Sequence, residues 1–466
     1  MSILYTPELL YLDGAFVTGK GLLVNDRGSI ERVATRLDAD DASIVDLPRR
    51  ALLPGFVNAH SHSFQRLIRG RSESRTVSGK DFWSWRGTMY HSAAQLSPED
   101  VYDVARMAFL EMLLAGTTAV GEFHYLHANT NGRPYDDSNL LSNQVIAAAR
   151  SVGIRIVLLR TAYLRSGYEL PPDPGQIRFF ESRADFLRNM ETLVAEYPES
   201  IPAVSFGVAP HSIRAVPLSD LIEIAAWAND RRLPLHMHVA EQVAENAACL
   251  REYGCTPIEL LSKHSILNER FTAVHAIHIQ TDEIAQLAQA RATICSCPTT
   301  ERNLGDGIFA ADQVMRAGIP VALGSDTQAQ IDPLEDAREL DYHLRLQVQQ
   351  RALLDQIDGG PIAERLFSCA TRSGAHALGL PSGEFLEGSL ADAFTIDLDD
   401  ISIAGHSPES LLPMLVFAMD RTAIRDVLVG GKWVVRERQH TLHAEIIARY
   451  QQVHTRVWDG NSETGI

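Results

Sequence analysis

The sequence predicts an α/β protein: a (β/α)8 TIM-like barrel carrying a small β-sandwich domain built from both chain termini. Three observations predict it. Apolar runs alternate with helical segments through the middle of the chain, the pattern of a parallel sheet with crossover helices. Short strands with hairpin turns occupy both ends. Finally, His60, His62, His238, His275 and Asp326 each stand at the end of an apolar run, the edge at which such barrels carry their active sites.

Each element has a local reason. Leu10–Leu12 and Ala15–Val17 flank Asp13-Gly14, a hairpin signal, and Gly21–Val24 reads as the next strand. The run from Ala51 to Ala59 is apolar apart from Asn58 and reads as the first barrel strand, ending at His60-Ser61-His62. Ser97 is an N-cap, Pro98 suits the first turn, and Glu99 and Asp100 sit at the positive end of the helix dipole. Val101, Ala105, Ala108, Phe109, Met112 and Leu113 then follow helical spacing, and Gly116 fits a C-cap. The remaining barrel strands are read at Thr117–Phe123, Arg155–Leu159, Val204–Val208, Leu235–His238, Phe271–His275, Ala292–Cys295 and Pro320–Leu323. Near the C-terminus, Ala393–Ile396 reads as a strand, and Val427–Val429 and Trp433–Val435 flank the turn Gly430-Gly431. The expected division is a discontinuous β-sandwich domain from residues 1–52 and 384–466, with a C-terminal helix, and a barrel over residues 53–383.

Composition narrows the partners. The 466 residues are 45% hydrophobic and 22% charged, with a net charge of -17. That balance argues against a nucleic-acid or membrane partner and for a small-molecule substrate; an anionic substrate would need arginines inside the site. Five scattered cysteines suggest no disulfide framework. Cys295-Ser296-Cys297 reads as part of a buried strand rather than half a metal site. No secretion signal or bilayer-spanning run is visible, so a cytoplasmic location is expected.

Three imidazoles and a carboxylate suit one divalent ion, Zn2+ first among the candidates. The expected ligands are His60, His62, His238 and Asp326. A metal held there makes a water nucleophilic near neutral pH, and Asp326 can accept its proton. His275 is either a fifth ligand or a hydrogen-bond partner of that water, and when protonated it can stabilise charge developing on the substrate. Glu241, three residues after His238, suits a proton shuttle to a departing nitrogen; its bland alternative is a helix-start acid. His236 shares the face of His238 but lacks a glutamate three residues on. No dinucleotide-binding glycine fingerprint, phosphate loop or Gly-x-Ser-x-Gly elbow competes.

Longer strings sharpen the reading: His60-Ser61-His62-Ser63-Phe64-Gln65-Arg66, Phe82-Trp83-Ser84-Trp85-Arg86, and Glu122-Phe123-His124-Tyr125-Leu126-His127. Ala209-Pro210-His211-Ser212-Ile213-Arg214, His238-Val239-Ala240-Glu241-Gln242 and Asn303-Leu304-Gly305-Asp306-Gly307 complete the set. With these strings the chain resembles the formimidoylglutamate deiminases of the metal-dependent amidohydrolase superfamily. The resemblance implies hydrolysis of N-formimidoyl-L-glutamate to N-formyl-L-glutamate and ammonia, a step of histidine degradation, and a homodimer. It implies Arg86 and Arg214 as clamps for the two substrate carboxylates, a task suited to planar guanidiniums. Gln65, Tyr125 and His211 would orient the substrate. Thr327-Gln328 departs from the family, whose members often carry serine and then histidine or asparagine after the last aspartate. The Gly- and Pro-containing segment 165–178 reads as a loop able to cover the pocket.

Two other readings compete. A sister deaminase acting on a purine, pterin or triazine-like cyclic amidine would need stacking and base-edge hydrogen bonds more than a carboxylate clamp. A non-catalytic scaffold descended from the fold would have lost ligands that this chain retains.

Overall fold

A computed structural model describes residues 2–38, 41–73, 81–197 and 203–459, excluding the side chains of residues 81–84. Phe82, Trp83 and Ser84 of the second motif therefore lie outside the described side chains. Eight strands form one parallel sheet in sequence order: β1 (Phe56–Ser61), β2 (Thr117–His124), β3 (Arg155–Ala162), β4 (Val204–Pro210), β5 (Leu235–Val239), β6 (Phe271–His275), β7 (Thr293–Ser296) and β8 (Val321–Leu323). Every residue of β1, β2 and β3 is buried, which is why the strands read as continuous apolar runs rather than alternating ones. The sheet closes through Ser61, bridged in parallel to Asp326. His62 N donates to the Asp326 carbonyl and Asp326 N to the His60 carbonyl, each at 3.0 Å.

The run Ala51–Ala59 is not one strand. Residues up to Pro54 belong to Ser43–Pro54, which pairs with Ala393–Asp397 in the terminal sheet, and β1 begins at Phe56. Gly55 is the break: a Cβ there would collide with the side chain of Thr118. The run looked uninterrupted because both halves are buried, though they belong to different sheets.

The terminal strands form one continuous sheet. Ser43–Pro54 sits in its middle, parallel to Ile3–Leu12 and antiparallel to Ala393–Asp397. Both expected hairpins are present: Leu10–Leu12 pairs with Ala15–Val17, and Ile424–Val429 with Lys432–Val435. Tyr5, Leu10, Leu22, Leu52, Ala393 and Leu428 make a small core of their own. Arg155 on β3 joins the two units through a bidentate ion pair to Asp392, with both contacts at 2.9 Å.

The helix Pro98–Leu114 starts as expected, with a capping box in which the Ser97 side chain accepts from Asp100 N. Gly116, at φ 83°, follows its end. The C-terminal helix His443–Trp458 lies against it, with Arg106 donating to Glu445 at 2.9 Å. This last helix also supports the site. Tyr450 and Trp458 donate to the carbonyls of Arg66 and Leu67, both at 3.1 Å. That pins the short helix Ser63–Ile68, which carries Gln65.

Candidate active site

His60, His62, His238 and Asp326 converge at the C-terminal mouth of the barrel, with one donor atom from each within 4.8 Å of all the others. Asp326 Oδ1 lies 3.3 Å from His60 Nε2 and 3.2 Å from His62 Nε2. His60 Nε2 and His238 Nε2 are 3.1 Å apart. His62 Nδ1 donates to the Phe123 carbonyl at 2.8 Å, and His238 Nδ1 to that of His211 at 2.9 Å. These backbone bonds fix the tautomers, so the Nε2 lone pairs of both rings face the cluster. Lone pairs and a carboxylate meeting in a buried space call for a cation, and the donor set fits a divalent ion such as zinc. Burial pushes His60 down to about 3 and His238 well below the ordinary histidine value, keeping both neutral, as ligands must be. Burial alone would raise the Asp326 carboxyl, but the His60 and His62 rings hold it well below the ordinary aspartate value.

His275 stands beside the cluster, its Nε2 3.7 Å from Asp326 Oδ2 and 3.9 Å from Glu241 Oε1. Its Nδ1 is 3.2 Å from Glu301 Oε1. Glu301, absent from the sequence-based site, is 2% exposed and also accepts from Cys297 N at 2.8 Å and Ser296 Oγ at 3.0 Å. Potential ligand atoms of His275, Cys297 and Glu301 also lie within 4.8 Å of one another. Glu301 is already filled by these donors, however, and burial raises the Cys297 thiol well above its ordinary value, so the trio is a hydrogen-bond network. Burial also raises the Glu241 carboxyl. Glu241 precedes the helix Val243–Tyr253, whose N-cap is Gln242, so helix capping does not account for it.

Backbone strain gathers here. His275 (φ 70°) and Asp326 (φ 45°) adopt the left-handed conformation, which costs a non-glycine residue about 1–3 kcal/mol. The chain turns sharply at these strand ends, aiming both side chains across the barrel mouth.

One pocket is lined by His62, His238, Asp326, His275 and Glu241 together with Gln65, Arg86, Tyr125, His211 and Arg214. Every site residue expected from the sequence except His60 faces it; His60 lies beneath, fully buried. Gln65 donates to the Tyr125 hydroxyl at 2.7 Å. Arg214 donates to the Tyr163 hydroxyl at 3.0 Å and the Ser166 carbonyl at 3.2 Å. Tyr90, Tyr163 and Phe179 also line the pocket; nothing in their sequence spacing marked them. Glu122, buried at the end of β2, accepts from Ser61 Oγ at 2.6 Å and from Ser63 N at 2.7 Å. In the sequence it is a charged residue inside an apolar run and opens the string Glu122–His127. His236 lies deeper on the same strand and is 2.8 Å from the Ala377 carbonyl, away from the cluster. At the family departure, Thr327 lines the pocket. Gln328 turns into the barrel seam, donating to Ser61 Oγ and the Asp326 carbonyl, both at 2.9 Å.

Comparison with known proteins agrees with this geometry. The amidohydrolase family matches residues 51–434. Formimidoylglutamate deiminase of Pseudomonas aeruginosa is 37% identical over 391 residues, 84% of this chain and 86% of the relative. The 8-oxoguanine deaminase of the same organism is 29% identical over 449 residues, 93% of this chain and 92% of the relative. A crystal structure of an amidohydrolase from Brucella melitensis matches with a TM-score of 0.88 at 31% identity, covering 97% of this chain and 99% of that one. A zinc-bound adenosine deaminase from Xanthomonas campestris shares the fold, with a TM-score of 0.82 at 23% identity over 98% of each chain. The chain belongs to the amidohydrolase family, resembles its formimidoylglutamate deiminases, and is a hydrolase of carbon–nitrogen bonds other than peptide bonds.

Proposed function

We propose that the protein hydrolyses N-formimidoyl-L-glutamate to N-formyl-L-glutamate and ammonia, as a cytoplasmic, zinc-dependent homodimer in histidine degradation. The observation that carries this reading is the joining, in one pocket, of a four-ligand cation cluster with two guanidiniums, Arg86 and Arg214. The 37% identical deiminase supports it. A substrate with two carboxylates matches two planar cations better than a neutral heterocycle does.

His60, His62, His238 and Asp326 would hold the zinc, which supplies a water acidic enough to act as a nucleophile near neutral pH. The residues of the chain account for the rest. Arg86 and Arg214 anchor the carboxylates and so fix the formimidoyl carbon over the cluster. Gln65, Tyr125 and His211 orient the amidine. Asp326 and Glu241 relay protons: a C–O bond forms, the bond to the terminal nitrogen breaks, and both protons of the water end on ammonia. His275, oriented by Glu301, donates toward charge building on the reacting carbon's substituents. We further propose residues 53–383 as the catalytic unit, with residues 1–52 and 384–466 as its buttress.

The test is ammonia release from N-formimidoyl-L-glutamate by zinc-loaded protein, alongside a panel of cyclic amidines. Release lost on chelation, and reduced by orders of magnitude in Asp326→Ala, is expected. Activity on a purine or triazine with none on the formimidoyl substrate would reject the reading in favour of a sister deaminase.

A further inference from the structure

We propose that Gln176 is a positioning residue: its side-chain amide ties together the two cations that select a substrate with two carboxylates. This rests on the substrate reading above. Gln176 is fully buried and does not line the pocket. Its Nε2 lies 2.6 Å from the Tyr90 hydroxyl and 2.9 Å from the Tyr163 hydroxyl. Tyr90 in turn accepts from Arg86 Nε, and Tyr163 accepts from Arg214 at 3.0 Å. The result is a continuous chain, Arg86–Tyr90–Gln176–Tyr163–Arg214, in which the four outer members face the pocket and the central one stands behind them. Turning the amide over exchanges donor for acceptor but leaves one atom between both phenols, so the bridge does not depend on that assignment.

The bridge is built on a rigid base. Gln176 ends the turn Pro174–Gln176, where Pro174 fixes φ and the Asp173 side chain accepts from Gly175 N at 2.9 Å. Asp173 N donates to Ser166 Oγ at 2.8 Å. Two residues further on, the buried Arg178 donates to the carbonyls of Ala128 and Leu96, each at 2.9 Å. Gly175 lies so close to the Tyr90 ring that a Cβ would collide with it. The chain joins residues 86–90, 163–176 and 214, and Gln176 is its central member.

The physical consequence is pre-organisation. An arginine that must find its rotamer on binding gives up conformational freedom, and one already held does not. Holding two guanidiniums at a fixed separation favours a ligand whose two carboxylates match that separation. It does little for a ligand with one carboxylate, and nothing for the step at the reacting carbon.

The test compares Gln176→Met with wild type as zinc-loaded full-length protein, on N-formimidoyl-L-glutamate and on N-formimidoylglycine, which has one carboxylate. Methionine preserves the volume but removes both hydrogen bonds. For the two-carboxylate substrate KM should rise roughly tenfold, about 1.4 kcal/mol, with kcat within about threefold. Kinetics on the glycine compound should shift less than about threefold. A residue that merely fills space would alter both substrates alike, and that result overturns the proposal. Gln176→Asn, too short to reach both hydroxyls, serves should the methionine variant not fold. Failure of the wild type to release ammonia from either compound overturns only the substrate reading. The bridge is then read from glutarate binding by calorimetry, and an affinity unchanged in the variant refutes it.

Discussion

Replacing Glu301 with glutamine keeps the shape of the side chain and removes its charge. Glu301 touches no substrate-facing surface; it acts on His275 Nδ1 at 3.2 Å while held by Cys297 N at 2.8 Å and Ser296 Oγ at 3.0 Å. At 2% exposure, Glu301 is shielded from bulk solvent. A hydrogen bond to a charged group contributes about 1.5–3 kcal/mol. If that bond serves to aim His275 Nε2 at the reacting centre, its loss appears in the transition state. At about 1.4 kcal/mol per factor of ten, kcat falls roughly 10- to 150-fold. KM should barely move, because Glu301 does not line the pocket. The assay is steady-state ammonia release by zinc-loaded protein, with metal content measured on the same samples. Glu301→Asp, which keeps the charge at shorter reach, should recover part of the loss. A kcat within threefold of wild type at full metal occupancy would refute the reasoning. A loss of kcat that simply tracks a loss of metal would refute it equally.

Three further perturbations follow from single contacts. Asp392→Ala removes the carboxylate paired with Arg155, whose side chain is only 3% exposed in the pair; removing one partner of a buried ion pair costs about 3–5 kcal/mol. Urea unfolding should show that loss, and a change below about 1 kcal/mol would mean the pair is not what joins the terminal sheet to the barrel. Burial raises the Glu111 carboxyl, but Arg69 and Arg66 more than reverse this and hold it below its ordinary value near 4.5. Its stabilising contribution is therefore complete above that value and is lost as pH falls through the lower folded one. The melting-temperature gap between wild type and Glu111→Gln should be flat at neutral pH and shrink in acid; a gap that widens in acid contradicts the assignment. In Gly324→Ala the new Cβ would stand 2.7 Å from His60 Cβ and 2.9 Å from Cys297 Sγ. Displacing His60 should weaken zinc binding about tenfold or more, as loss of a ligand's support does; unchanged affinity in a chelator competition would show that the neighbours yield.

Much of the barrel and its metal cluster was legible because the two signals are local. A strand buried on both faces is an apolar run, and a ligand at its end is a polar residue where the run stops. The expected ligand His238, and His275 beside the cluster, are both visible in this way. What escaped notice depends on partners far away in the chain. The break at Gly55 is hidden because Leu53 and Phe56 are both fully buried, though the pairing partners on either side belong to different sheets. Glu301 sits in the short helix Pro298–Leu304 with polar neighbours and reads as surface; only the approach of β6 makes it an anchor for His275. Tyr90, Tyr163 and Gln176 share no periodicity, since a wall assembled from a helix, a loop and a short turn leaves none. The left-handed backbone at His275 and Asp326 has no sequence signature, because neither position is a glycine.

The placement of the cluster has a topological cause. Closing the barrel brings the first strand against the last, and here the closing bonds run between His60, His62 and Asp326 themselves. His60 on β1, His62 just after it and Asp326 just beyond β8 are thus set by closure and by the bonds of Gln328 to Ser61 and the Asp326 carbonyl. That arrangement explains why the departure at Gln328 leaves the ligand set intact. Its amide serves the seam, and the pocket meets Thr327 instead. A residue at that position is therefore constrained first by the need to hold Asp326 in its strained conformation. The proposed substrate selection falls instead to Arg86, on the helix Asp81–Ala93 after β1, and Arg214, beyond β4, with Tyr90 and Tyr163 that bond them.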